Sequence, residues 1–205
     1  MQMQPFLLLF LIPFLTHCAN LPTQEMSDAR QAINAIYKAK IENYVPDSLQ
    51  QAELHLAQAE TYLQQNQFHQ AREAALLTKE KAVQIYNAGM AIEQAKMIWQ
   101  QVEAISYIAD VDLLKNAEEA AQKGQLEKTE NLAKAAYEQG ENALNQAYLQ
   151  KAQLLIEEFE AQTRPLYPGE IAILKKAKQA HQEKKGQKAH KLVDSLMKDK
   201  TLILK

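Results

Sequence analysis

One cysteine, one tryptophan, five glycines and six prolines in 205 residues leave this chain with few of the residues that cross-link or punctuate a fold. The single thiol, Cys18, excludes an intrachain disulfide. No proline falls between Asp47 and Arg164, so the strongest helix breaker, costing roughly 3 kcal/mol in a helix interior, is missing from most of the chain. No glycine-rich phosphate loop, serine nucleophile elbow or zinc-ligand spacing appears. The acidic pairs Glu118-Glu119 and Glu157-Glu158 would diverge on a helix, because adjacent residues do not face each other there. Paired acid and base chemistry has no support, and neither catalysis nor a cofactor is expected. The longest apolar run, Phe6 to Leu15, is about half of the roughly 20 residues that span a bilayer, and Pro13 interrupts it. What is abundant is helix-forming: 31 alanines, with many Gln, Glu, Lys and Leu.

That apolar run has the length of a signal-peptide core. Directly behind it, Leu15-Thr16-His17-Cys18 resembles the lipobox of bacterial lipoproteins, with His17 standing where a small residue is usual. The resemblance implies a signal peptide over residues 1–17 and diacylglycerol and N-acyl chains on Cys18. Because Ala19 rather than Asp follows the cysteine, it also implies an outer-membrane destination facing the periplasm. Each buried methylene contributes roughly 0.8 kcal/mol of membrane affinity, so several acyl chains make a lasting anchor. Residues 18–27 are then the lipidated cysteine and a polar tether containing Pro22, reaching at most about 30 Å. A helical domain is expected over 28–205.

Ser27 is the expected N-cap of a first helix through Ala29, Ala32, Ile33, Ile36 and Ile41, ended by Val45-Pro46. Asp47 and Gln50 have the form of a capping box, and Leu49, Ala52, Leu56, Ala59 and Leu63 recur at spacings of three and four. Asn66 suits the left-handed position after a helix, and Phe68, Ala71, Ala75, Ala82 and Ile85 open another. This hairpin returns twice. Leu114, Ala117 and Ala121 precede Lys123-Gly124-Gln125, and Leu126, Thr129, Ala133 and Ala136 follow. Leu174, Ala177 and His181 precede Lys184-Lys185-Gly186, and Ala189, Leu192 and Leu196 follow. Ala59, Ala117 and Ala177 align, as do Ala71, Thr129 and Ala189, at periods of 58 and 60 residues; this is an internal repeat. Helical pattern persists from Phe68 to about Ile105 and from Leu126 to about Gln162, each roughly 55 Å if continuous. The first half of each would pair backwards and the second half forwards, with Gly89 and Gly140 as the expected bends. The predicted architecture is all-α: an elongated bundle of repeated helical hairpins, with about seven helices, two of them long.

Ser27-Asp28-Ala29-Arg30-Gln31-Ala32, followed by Tyr44-Val45-Pro46-Asp47-Ser48-Leu49 and Ala52, resembles an uncharacterised family of Ala-rich helical envelope lipoproteins, itself similar to tetratricopeptide-like proteins. The resemblance covers roughly residues 27–90, with Asn66-Gln67-Phe68 at the family's Gly-Asp-Tyr-like turn. Relatives often carry an OmpA-like peptidoglycan-binding domain, for which this sequence shows no segment. The resemblance implies a protein-interaction or scaffold module of the cell envelope with an envelope protein as partner, and it brings no catalytic residues.

Charge is uneven. The chain from Arg164 to Lys205 holds eleven Lys or Arg against four Asp or Glu, about +7, while Cys18 to Thr163 carries about −9. Lys175, Lys176, Lys178, Lys184, Lys185, Lys188 and Lys191 are candidate contacts for anionic lipid or polymer; nucleic acid is not expected as a partner. Tyr44, Tyr107 and Tyr167 each precede a helix start and, with Tyr62, could line a groove for a peptide or partner helix. Half-buried packing with the hydroxyl in water is the simpler account of them. His181 and His190 flank the third turn near Glu183 and Asp194 and are the nearest approach to a metal pair, whereas His55 and His69 sit at offsets that keep them apart. A carrier for a small apolar or lipid-like ligand between Ala-lined helices is the alternative function. A closed apolar pocket would favour the carrier, and a solid core with a polar groove the scaffold.

Overall fold

The computed structural model describes residues 21–105, 112–161 and 165–203, with side chains through Lys198; Cys18, the segment 1–17 and Tyr107 lie outside the described residues. Among the described residues the chain is all-α, with no strand. Seven α-helices follow one another: α1 (Thr23–Ala39), α2 (Pro46–Gln64), α3 (Phe68–Ala104), α4 (Asp112–Gln122), α5 (Leu126–Glu160), α6 (Pro168–Gln182) and α7 (Gly186–Ile203). A 3-10 turn, Glu42–Tyr44, precedes α2.

Two helix starts differ from expectation. Helix α1 begins at Thr23, so residues 23–27 are helix rather than tether, and Met26 is buried in the core at 2 % exposure. Ser27 is not a cap; its hydroxyl accepts from Gln31 Nε2 at 3.1 Å, one turn on. Pro22 stands directly before α1, where the missing N–H would have had no intrahelical partner. Pro46 opens α2, which places Asp47 inside the first turn instead of at the cap, still favourably beside the helix N-terminus. Pro168 opens α6 directly after Tyr167, as expected, and the Tyr167 N–H donates to Glu170 Oε2 at 2.8 Å.

The three hairpin turns share one geometry. Asn66, Gly124 and Lys184 have φ of 59°, 67° and 56°. The N–H of each donates to the carbonyl three residues back, on Leu63, Ala121 and His181, at 3.1, 3.0 and 2.9 Å. The next N–H donates to the carbonyl five back, on Tyr62, Ala120 and Ala180, at 2.9, 3.0 and 2.9 Å. This pair of hydrogen bonds satisfies the last carbonyls of the incoming helix. The third left-handed residue is Lys184, in register with the repeat, although Gly186 stands two residues on.

The long helices run without interruption, so neither Gly89 nor Gly140 breaks its helix. Their role is close approach. A Cβ on Gly89 would lie 2.9 Å from Ile41 Cδ1, and one on Gly140 would lie 2.6 Å from Ile98 Cγ2. Both glycines let a neighbouring isoleucine rest on helical backbone.

The described residues form two compact units, one of 21–40 with 47–83 and one of 41–46 with 84–203, the division falling inside α3. In the first unit, Met26 and Ala29 of α1, Ala59 of α2 and Ala75 of α3 form one apolar cluster, flanked by Leu56 and Leu63. Ion pairs Arg30–Glu60, Arg72–Glu25 and Lys79–Asp28, at 2.9, 2.8 and 2.8 Å, join the same three helices. In the second unit, Ile98, Trp99 and Val102 of α3 pack with Leu114 of α4 and with Tyr137, Ala143 and Leu144 of α5. Farther along α5, Ile156 and Phe159 pack with Leu174 and Ala177 of α6 and Val193 and Leu196 of α7. Helix α5 therefore serves α4 with its first half and α6 and α7 with its second, as the repeat implies. The aligned seam residues Ala59, Ala117, Ala177, Ala71, Thr129 and Ala189 are all 0 % exposed. The Thr129 hydroxyl donates to its own helix at Gln125 O, 2.9 Å away.

Candidate functional site

Local chemistry places each candidate tyrosine. Tyr44, on the 3-10 turn, donates its hydroxyl to Glu93 Oε2 of α3 at 2.5 Å. Lys96 Nζ lies 4.4 Å from the centre of the Tyr44 ring and 2.6 Å from Glu118 Oε1 of α4. Burial first, and the Glu93 carboxylate second, push the Tyr44 phenol up to about 12, so it stays a proton donor across the physiological range. This four-residue cluster ties the turn to α3 and α4; Tyr44 is packing, not a groove wall. In the first unit, Tyr62 accepts from Gln58 Nε2 at 3.0 Å on its own helix. Tyr167 is 67 % exposed at the start of α6. Two open grooves of the second unit are lined by neither Tyr44 nor Tyr167.

The larger of those grooves, about 700 Å³, runs between α5 and the end of α6. Gln146, Gln150, Gln153 and Glu157 line it along one face of α5, at spacings of four, three and four. Leu149 and Leu154 supply its apolar floor and rim, and His181, Gln182 and Lys184 close the far side. These glutamines were not among the sequence candidates, although their spacing marks a single helix face. Asn145 is a second residue the sequence left unremarked. Its Nδ2 donates to Lys184 O at 3.0 Å and its Oδ1 accepts from the Gly186 N–H at 2.9 Å, so one side chain clamps the third turn to α5.

The histidine pair does not assemble with its carboxylates. His190 stacks obliquely on Tyr148 of α5, ring centres 5.3 Å apart, while His181 faces the groove. Asp194 pairs with Lys198 at 2.7 Å and Glu183 with Lys185 at 2.7 Å. Those lysine hydrogen bonds hold both carboxyls below the usual range, and burial pushes His190 down. Among the described residues no three metal-ligating side chains come together. His69 Nδ1 lies 3.4 Å from Glu73 on the exposed face of α3.

Of the candidate lysines, Lys178 pairs with Glu160 and Lys185 with Glu183. Lys175, Lys176, Lys184, Lys188 and Lys191 are exposed. Lys175 and Lys178 line the second, shallower groove, about 460 Å³, with Ile171, Leu174 and Gln182 of α6. No described helix is long and apolar enough to cross a membrane.

Comparison with known proteins finds no matching family model, curated protein or solved structure.

Proposed function

We propose that this chain is a helical interaction module of the bacterial envelope, lipid-anchored to the outer membrane through Cys18, facing the periplasm and without catalysis of its own. The observation that carries the proposal is the open groove between α5 and α6, about 700 Å³ and lined by Gln146, Gln150, Gln153 and Gln182. A carboxamide both donates and accepts, as a peptide group does, so such a lining can hold an extended segment or a polar helix face from a protein partner. The repeat supports the same use, because stacked hairpins present continuous faces to partners. The anchor rests on Leu15-Thr16-His17-Cys18 and on the resemblance to helical envelope lipoproteins. A ligand carrier has less support, since both grooves open to solvent.

Photo-crosslinking in intact cells tests the groove. A probe at Gln150 should give a discrete adduct with an envelope protein, and a probe at exposed Lys128 should not. Equal adducts at both positions, or none at Gln150, would refute it. Palmitate labelling tests the anchor separately: label on the native chain, lost in Cys18→Ala, is expected. An unlabelled native chain would remove the anchor while leaving the groove experiment interpretable.

A further inference from the structure

The three hairpins share one turn geometry and one buried seam, so comparing them position by position separates what the fold requires from what a single copy adds. At the positions of Lys175, Lys176, Lys184, Lys188 and Lys191, the second hairpin carries Lys115, Asn116, Gly124, Lys128 and Asn131. The first carries Ala57, Gln58, Asn66, Gln70 and Glu73. All fifteen residues are exposed, so packing places no demand on them. Charge at these equivalent positions nevertheless runs −1, +2 and +5 from first hairpin to third. The fold tolerates neutral and acidic residues where the third copy uses only lysine.

The carboxylates described in the third hairpin are already engaged. Glu170 accepts from the Tyr167 N–H, Glu183 holds Lys185, and Asp194 holds Lys198. Among the described residues the five lysines form no ion pair. Lys188 and Lys191 occupy the face of α7 turned away from buried Ala189, Val193 and Leu196, and Lys184 extends that row to the turn. On α6, Ile171 is 52 % exposed one turn before Lys175, and Tyr167 is 67 % exposed one turn before Ile171.

We propose that the α6–α7 hairpin docks on an anionic phospholipid bilayer. Lysine ammonium groups are hydrated point charges suited to diffuse attraction, whereas enclosing one anion calls for converging donors, commonly arginine. Here the charges spread along two convex helices, which matches an extended field of phosphates. Exposed Tyr167 and Ile171 beside Lys175 match the headgroup boundary, where aromatic rings and aliphatic side chains rest beneath a basic rim. The inference goes beyond the protein-partner proposal and depends on neither that partner nor lipidation of Cys18.

The test is vesicle flotation of the full chain carrying Cys18→Ala. Vesicles rich in phosphatidylglycerol are compared with pure phosphatidylcholine, and K175Q/K176Q/K184Q/K188Q/K191Q with the charge-matched control K38Q/K81Q/K115Q/K123Q/K128Q. Each contacting lysine is worth about fivefold in partitioning, so the hairpin variant should lose at least about a hundredfold and the control only a few-fold. Binding should weaken steeply with salt. Ile171→Ser, at an exposed site that leaves folding intact, should lower the salt-resistant remainder severalfold. Equal losses in the two lysine variants, or equal flotation on neutral vesicles, would overturn the proposal. So would an unaffected salt-resistant remainder in Ile171→Ser. Binding to inorganic polyphosphate without binding to bilayers would overturn it in favour of a soluble polyanion.

Discussion

Gly186 opens α7 where that helix nearly touches α5, and replacing it by alanine should be among the costliest single-methyl changes in the second unit. A Cβ there would lie 2.3 Å from Asn145 O, 2.9 Å from Asn145 Oδ1 and 2.9 Å from Leu149 N. Two of these are backbone atoms of a single i to i+4 step of α5, so no side-chain rotation relieves the clash. The hairpin must move outwards by about an ångström, overpacking that typically costs 1–3 kcal/mol. Moving it also breaks the clamp, in which Asn145 binds Lys184 O at 3.0 Å and the Gly186 N–H at 2.9 Å. At roughly 1 kcal/mol for each bond, the total is about 2.5–4.5 kcal/mol after a few tenths regained from better helix propensity. For a chain of this length that lowers Tm by about 5–18 °C. Gly169→Ala is the internal control, because nothing lies within 4 Å of its added Cβ, and it should be neutral or raise Tm slightly. Thermal unfolding followed by circular dichroism compares the two. A Gly186→Ala protein as stable as Gly169→Ala would refute the close approach. Asn145→Ala should cost less than Gly186→Ala and combine with it less than additively, since both remove the same clamp.

Gly140→Ala should destabilise by about 1–3 kcal/mol through its 2.6 Å contact with Ile98 Cγ2. In an Ile98→Ala background the same change should cost much less, and urea titrations showing additive losses would contradict the contact. Lys40→Gly should stabilise by about 0.5–1 kcal/mol, because Lys40 holds φ at 58° where a side chain is strained; a lower urea midpoint would count against it. Acid should destabilise in two stages. Burial depresses His190 below its ordinary 6.5, opposed by Asp194 and reinforced by Lys151 and Lys198. The unfolded state therefore binds that proton first, and the contribution present above about pH 6.5 is lost as pH falls. Asp28, Glu183 and Asp194, held below 3.8, 4.5 and 3.8 by Lys79, Lys185 and Lys198, contribute stability above those values and lose it below. Midpoints measured against pH should show both stages, with the upper one missing in His190→Gln; an unchanged upper stage would refute its assignment.

How far the sequence carried depended on whether a feature was local. The turns at Asn66, Gly124 and Lys184 follow from the repeat, because a left-handed residue closing two carbonyls needs only its own six-residue window. The alanine seams were legible for the same reason. The close approach at Gly89 and Gly140 was not legible, because propensity registers the missing Cβ but not the isoleucine that fills its place from another segment. The start of α1 was missed because Ser27 is a stronger capping cue than Thr23, while Met26, buried against α2 and α3, decides the outcome. Half-buried packing was legible for Tyr44, but not that Glu93 and Lys96, distant in sequence, take its hydroxyl and ring in place of water. The glutamine face of α5 resembled a solvated stripe, since a polar row looks the same in sequence whether a groove opens beside it or not.

The small residues that make the repeat recognisable also determine where the copies can differ. With Ala59, Ala117, Ala177, Ala71, Thr129 and Ala189 small and fully buried, helices can approach closely and one extra methylene in the seam would be felt. Variation is therefore excluded from the interior and left to the outward faces. At the five outward positions compared above, the first hairpin carries −1, the second +2 and the third +5, on an unchanged turn. The close approach has a second effect, visible at Gly186. At Gly186, where α7 meets α5 backbone to backbone, no side chain lies between the helices to absorb movement, so the turn is held rigidly against α5. A basic surface carried on a rigidly docked hairpin keeps its lysines in fixed relative positions. Gly186→Ala should then weaken anionic-vesicle binding as well as stability, although no lysine is removed.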